Sequence, residues 1–280
     1  LLETNHSLID GLWVIVETLR EPDLLHFVED IQSRYGLVPH LVEAPEGALS
    51  GLFVSGHVSK ISYSRLLLGS LLPKHVQRVL YLDSDVLVVK SLGMLTKIPR
   101  RKGVAIHAVQ EGNGEHLLRY GFSGGPYFNS GVMWLDLEQW RSMEVESSLL
   151  EVGRTLFSRL HWWDQDVLNI VFDGRWQHLN PQFNDTGPTP SPSARIIHFA
   201  GSTKPWMVGC SHPHTSTYKD FRNLTTFVPF RKSGLRRYLF KRLVPRPFQR
   251  PHRLMRRLRR RIRRSLGRII VSVRPPPWTR

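Results

Sequence analysis

Two carboxylates, Asp83 and Asp85, close the apolar run Val79-Leu-Tyr-Leu. A strand buried in a core rarely carries two acids on its own axis, because unpaired buried charge is costly. The pattern predicts that the strand ends at Asp83 and the chain turns through Ser84, bringing both carboxylates to a cavity. A divalent cation there would offset their repulsion. Mn²⁺ and Mg²⁺ seek oxygen, take few carboxylates from protein and fill other positions with phosphate oxygens. A polar turn after a strand is the plain alternative. Asn129, Asp164-Gln165-Asp166, and His198 with Lys204 after Gly201 also set polar groups at the ends of apolar stretches. His198 suits a third metal ligand or a satisfied structural histidine. Lys204 suits a phosphate contact or a solvated lysine, and Asp164 and Asp166 suit acids capping a helix that starts near Val167.

The elements that would position these groups alternate. Leu8, Leu12, Ile15, Val16 and Leu19 have helical spacing. A second helix is predicted over 24–35, a strand over 37–42, a helix over 61–72 stopped by Pro73, and a strand over 104–109. Five glycines between 112 and 125 predict a mobile loop, either an active-site cover or an inert surface loop. A buried strand follows Phe128, 137–173 reads as broken helix, and Ile196–His198 reads as a last strand. The β-α-β alternation predicts an α/β fold with a mostly parallel, Rossmann-like sheet flanked by helices. In such sheets ligands gather beyond the carboxyl ends of the strands.

The chain has 280 residues, 41% of them hydrophobic, which suits a globular body. No run approaches the length of a membrane span. The start, Leu1-Leu-Glu-Thr, reads as an N-terminus trimmed into its first element rather than a leader. A single cysteine, Cys210, excludes an intramolecular disulfide and suits a reducing compartment. Net charge is +16, but 19 of the 39 basic residues fall in 231–280, which holds no acid. Residues 1–230 keep 20 basic against 23 acidic residues, a net of −3. We therefore read 1–230 as the functional domain and 231–280 as a basic tail. Leu254, Leu258, Ile262, Leu266 and Ile269/Ile270 recur about every four residues among arginines, as in a helix lying on an anionic membrane surface. A helix packed on its own domain is the alternative. An arginine-rich arm for nucleic acid is a competing class, disfavoured by the slightly acidic body.

Five stretches together resemble glycosyltransferase family 8. They are Ile61-Ser-Tyr-Ser-Arg-Leu, Val79-Leu-Tyr-Leu-Asp-Ser-Asp-Val-Leu, Tyr127-Phe-Asn-Ser-Gly-Val, Trp163-Asp-Gln-Asp-Val-Leu-Asn and His198-Phe-Ala-Gly-Ser-Thr-Lys-Pro-Trp. They follow the family's order and approximate spacing across residues 1 to about 230, with the nearest likeness to bacterial lipopolysaccharide and lipooligosaccharide hexosyltransferases. The resemblance implies a GT-A fold, a UDP-sugar donor, Mn²⁺ (or Mg²⁺) and a retaining transfer of galactose or glucose to a glycan or glycolipid acceptor. It implies that Asp83, Asp85 and His198 hold the metal, that Gly201 and Lys204 contact the diphosphate, and that Ser84 is among the donor-binding residues. It also implies that Glu3 and Asn5 lie near the uracil, Arg65 near the donor sugar, and Asn129, Asp164 and Gln165 by sugar and acceptor. A cytoplasmic enzyme attached to the inner face of the membrane through its tail is the expected setting. Two positions depart from the family. Glu3 stands where an Asp is usual, and the 104–107 strand ends in His107 where related enzymes often carry an acid. A non-catalytic sugar-nucleotide-binding module is the remaining alternative, and the full Asp83, Asp85, His198 and Lys204 set argues against it.

Overall fold

The computed structural model describes residues 1–20, 23–52, 60–156, 159–189, 191–201, 203–207, 209–225 and 268–273. Nine strands occur among them: β1 Ile9–Val16, β2 His40–Glu43, β3 Arg78–Leu82, β4 Val86–Val88, β5 Ile106–Asn113, β6 Pro126–Asp136, β7 Gln177–His178, β8 Ile196–His198 and β9 Arg268–Val273. The α-helices of six residues or more among them are α1 Asp23–Tyr35, α2 Leu137–Ser142, α3 Val145–Leu156, α4 Asp164–Val171 and α5 Thr215–Arg222. The main sheet has the order β2-β1-β9-β3-β6-β5-β7, and β4 pairs with β8 in a separate antiparallel ribbon. Five of the seven main strands run one way; β6 and β9 run against them. The sheet is thus largely parallel in direction, with two reversed strands set into it.

Both faces of the sheet are covered. On β3, Val79 and Tyr81 join one core with Ile15, Met133 and Trp140, while Leu80 and Leu82 join the other with Val14, Val132 and Trp134. Burial on both faces explains a correction. Residues 9–16 form a strand, not the helix their spacing suggests. A strand covered on both sides reads as a continuous apolar run, and a short run of that kind can imitate a helical stripe.

Two more expectations change. The glycine-rich stretch 112–125 is folded, since β5 runs to Asn113 and a 3-10 turn spans Glu115–Tyr120. Leu117 and Phe122 are buried there, and Asp173 takes hydrogen bonds from Ser123. Gly114 lies so close to Phe122 that a Cβ would meet its ring at 2.3 Å. These glycines therefore serve close packing and turns as well as freedom. The helical spacing read across 254–270 also fails at its end. Ile269 and Ile270 lie in β9, which pairs antiparallel with both β1 and β3. The β-branched run Ile269-Ile-Val suits a strand slot between two open ladders, so 268–273 belongs to the body. The rest of the tail, and the membrane-facing helix read into it, lies outside the described residues. Among the described residues no helix is long and apolar enough to cross a membrane.

His107, opposite Trp134 on β5, is 7% exposed, and its Nδ1 has no hydrogen-bond partner. Burial, with Arg78 and Arg101 nearby, pushes its pKa down to about 4. The fold therefore holds neutral imidazole. The associated stability is fully present above the unfolded pKa of about 6.5 and is lost as pH falls toward about 4, a loss on the order of 2–3 kcal/mol. Urea denaturation of the wild type and of His107→Gln should differ in this window: the wild type weakens more steeply on acidification. Parallel profiles would refute the assignment.

Candidate active site

The ribbon of β4 and β8 brings the separated motifs together. Val86 pairs with His198, and the Phe199 N–H donates to the Asp85 carbonyl at 2.9 Å. The Asp83 N–H donates to the Gly131 carbonyl at 2.8 Å, extending the β3–β6 ladder by one step. One donor atom from each of Asp83, Asp85 and His198 lies within 4.8 Å of the others. Ser84 is exposed at the tip of the turn between the two acids.

Arg65 holds the floor. It is 2% exposed, and it sets Nη2 at 2.7 Å from Asp83 Oδ1 and Nε at 2.8 Å from Asp164 Oδ2. Its Nη1 donates to the Ser130 carbonyl and hydroxyl at 2.8 and 2.6 Å, and its guanidinium lies 4.8 Å from the Tyr81 ring centroid. The Tyr81 hydroxyl donates to Asp83 Oδ1 at 3.0 Å. Burial raises the Asp83 pKa against the pull of Arg65, and burial lifts Asp164 to about 6 despite the same guanidinium. Burial works the same way on Asp85, but His198 and Lys204 outweigh it and hold that carboxyl below the usual range. Lys204 Nζ donates to Asp85 Oδ2 and, at 2.8 Å, to the Phe199 carbonyl.

A line of amides orients His198. The Gly131 N–H donates to Asn129 Oδ1 at 2.9 Å. Asn184 Nδ2 donates to the same oxygen at 2.9 Å, which turns Asn184 Oδ1 toward His198 Nδ1, also 2.9 Å away. An amide oxygen only accepts, so His198 Nδ1 carries the proton. Nε2 then presents a lone pair 3.3 Å from Asp85 Oδ1. Two acceptors face each other unless a proton or a cation lies between them. A carboxylate pair with an imidazole oriented through its other nitrogen is a donor set that could hold a divalent cation.

Gly131 makes room for that imidazole. A Cβ there would lie 2.3 Å from His198 Cε1 and 3.0 Å from both ring nitrogens. We expect Gly131→Ala to displace the ring and, with Mn²⁺ as the probe for a divalent cation, to weaken binding at this donor set by roughly 10- to 100-fold, the usual effect of disturbing a ligand's support. Calorimetric titration with Mn²⁺ measures it, and wild-type affinity would remove the steric argument.

The other expected residues divide. Asn129 and Gln165 join the cluster through Glu111, whose Oε2 accepts from Asn129 Nδ2 at 3.1 Å and Gln165 Nε2 at 2.9 Å. Gln165 Oε1 accepts from the Ser130 N–H at 3.0 Å. Gly201, at φ +89°, makes the turn before Lys204. Glu3 and Asn5 share no hydrogen bond with the cluster. Glu3 is held by Arg34 and Tyr35 of α1, and Asn5 binds the backbone at Lys90 and Leu92. Sequence reading missed Glu111, Ser130 and Asn184. Glu111 lies four residues beyond His107 on the same strand, because β5 runs on past Val109 through two bulges. Asn184 begins a chance Asn-Asp-Thr match in the sequence, but it is 4% exposed and serves His198.

Comparison with known proteins identifies the family and the fold. The sequence profile of glycosyl transferase family 8 matches residues 52–209. General stress protein A of Bacillus subtilis is 25% identical over 233 residues, covering 73% of this chain and 79% of that one. A lipopolysaccharide 1,2-glucosyltransferase of Escherichia coli K12 is 28% identical over 186 residues, covering 58% and 53%. The crystal structure of galactosyltransferase LgtC with donor and acceptor sugar analogs superposes with a TM-score of 0.64 at 24% identity, over 74% of this chain and 83% of that one. That likeness establishes the GT-A fold.

Proposed function

The chain belongs to glycosyl transferase family 8, and on that premise we propose a divalent-cation-dependent, retaining hexosyltransferase. It moves galactose or glucose from a UDP-sugar to a glycan acceptor of the lipopolysaccharide type. The observation that carries the metal dependence is the facing pair of acceptors, His198 Nε2 and Asp85 Oδ1, at 3.3 Å. The oxygen-rich donor set supports Mn²⁺ or Mg²⁺ as the occupant. The relatives named for lipopolysaccharide glucosyl transfer support the acceptor class.

A divalent cation bound there supplies a Lewis acid for the departing diphosphate. Lys204 adds a fixed positive charge beside it, stabilising charge that develops as the donor bond breaks. Arg65 keeps Asp83 and Asp164 in place and neutralises part of their repulsion. Asp164 is 6% exposed and ion-paired, and Gln165 is an amide bound to Ser130 and Glu111. Neither is a ready nucleophile, which favours same-face attack by the acceptor hydroxyl. The basic tail supports attachment to an anionic membrane surface on the cytoplasmic side. Vesicle co-sedimentation of a Leu258, Ile262 and Leu266 to Ser triple variant tests this: undiminished binding would remove the apolar insertion.

The direct test is UDP release from UDP-Gal, UDP-Glc, UDP-GlcNAc and UDP-xylose, with and without Mn²⁺. Release from one hexose donor that stops under chelation is the expected result. Release from none of them would overturn the proposal.

A further inference from the structure

The turn Pro99-Arg100-Arg101-Lys102 leads toward β5 and carries three cations in a row. Ile98, Pro99 and Arg101 of this segment, His107 of β5, and Gln177 and His178 of the edge strand β7 line a cavity of about 180 Å³. His107 pairs with Gln177 across the two parallel strands. The cavity lies at the opposite end of β5 from the donor cluster. Glu111, which meets Asn129 and Gln165, is four residues further on, about 13 Å along an extended strand.

The charges around this cavity do not balance. Arg100 takes both nearby acids, with Nε 3.3 Å from Asp136 Oδ2 and Nη1 2.7 Å from Glu138 Oε2. Asp136 Oδ1 also accepts from the N–H groups of Glu138 and Gln139 at the start of α2. Arg78 lays its guanidinium 4.7 Å from the Trp134 ring centroid and donates through Nη2 to the Ile98 carbonyl at 2.8 Å, but its Nε has no hydrogen-bond partner. Burial lowers the Arg78 pKa although Asp136 favours its charge. Among the described residues Arg101 makes no ion pair, and its Nη1 lies 3.5 Å from Gln177 Oε1, the outer limit of a hydrogen bond. His107, 7% exposed, meets two of these arginines and is held neutral by them and by its burial. Cationic donors surround the cavity and their acids are already engaged, so the missing partner is an anion.

We propose that this cavity binds a phosphate dianion, either the free ion or the phosphate of a small monoester. Arg101 meets it with a planar fork that matches pairs of phosphate oxygens. Gln177 and His178 stand at the rim, and His107 closes the inner wall. A bound dianion offsets the charge of Arg78 and Arg101, so the His107 imidazole takes a proton more readily when the site is filled. Ile98 and Pro99 leave one wall apolar, which suits the carbon portion of an ester.

The test is calorimetric titration of the full-length protein with orthophosphate and, separately, glucose 1-phosphate, at fixed ionic strength with EDTA present. Saturable binding of at least one probe is expected, and the tighter of the two distinguishes a free ion from an ester. Arg101→Glu should weaken it by about tenfold or more, while Lys204→Ala should leave it within about twofold. Arg101 is exposed, so reversing its charge leaves the fold intact. The His107 ring resonance, identified by its absence from the His107→Gln spectrum, should shift with the same midpoint. Absence of saturable binding, equal affinity in Arg101→Glu, loss in Lys204→Ala alone, or a His107 signal indifferent to both probes would overturn the site. None of these outcomes depends on whether a UDP-sugar is turned over.

Discussion

On the proposed donor chemistry, Asp85→Asn should lower UDP release from the sugar donor by roughly 10³-fold or more, about 4 kcal/mol of transition-state stabilisation. Three interactions fail at once. The donor set loses one of its two carboxylates, Lys204 loses the partner that fixes its Nζ, and His198 faces an amide instead of a charge. The fold loses less than the activity does. Asp85 and Lys204 keep only 17% and 18% of their side chains exposed, and His198 and Lys204 hold that carboxyl below its usual range, so its loss lowers stability at neutral pH. The expected signature is a cooperative unfolding transition at a lowered midpoint, with Mn²⁺ binding and turnover gone. Near-normal turnover in this variant would end the metal-site reading.

Arg65→Met should act in the opposite way, on the fold first. Removing one partner from a buried ion pair typically costs about 3–5 kcal/mol, because the remaining charge keeps its desolvation penalty. Here two carboxylates, Asp83 and Asp164, are left without the guanidinium between them. The loss depends on pH. The pKa of Asp164 already stands at about 6, above its unfolded value, and rises further without Arg65. A group with a raised folded pKa binds more protons in the native state, so the native state weakens as pH increases through that pKa. Arg65→Met should therefore be more damaging at pH 8 than at pH 5.5. Urea midpoints at the two pH values decide it; an equal loss at both would show that Asp164 does not respond to the missing charge.

The site was legible where local rules suffice. Asp83 and Asp85 interrupt a strand pattern that needs apolar residues, and His198 follows two isoleucines; both signals survive in one dimension. The partners that make the site work do not. Asn184 earns no notice until β8 and the 181–183 turn place it against His198. Glu111 stands where simple alternation fails, because the two bulges of β5 break the period of two. Strand β1 was misread because burial on both faces erases alternation. No local signal places β9 between β1 and β3, since that pairing spans most of the chain.

The amide line through Asn129 and Asn184 has a consequence for how the protein would fail. Its direction is set at one end by the Gly131 N–H, which can only donate, and each later group inherits its orientation from the one before. Remove a middle member, as in Asn184→Ala, and His198 is no longer told which nitrogen to protonate. Two tautomers then share the population, and only one offers Nε2 to a cation. Apparent affinity falls by the missing fraction, in the manner of any binding-competent state that is partly populated. Molecules that do load would retain ordinary coordination and ordinary chemistry, so the defect would be one of occupancy, curable by excess cation.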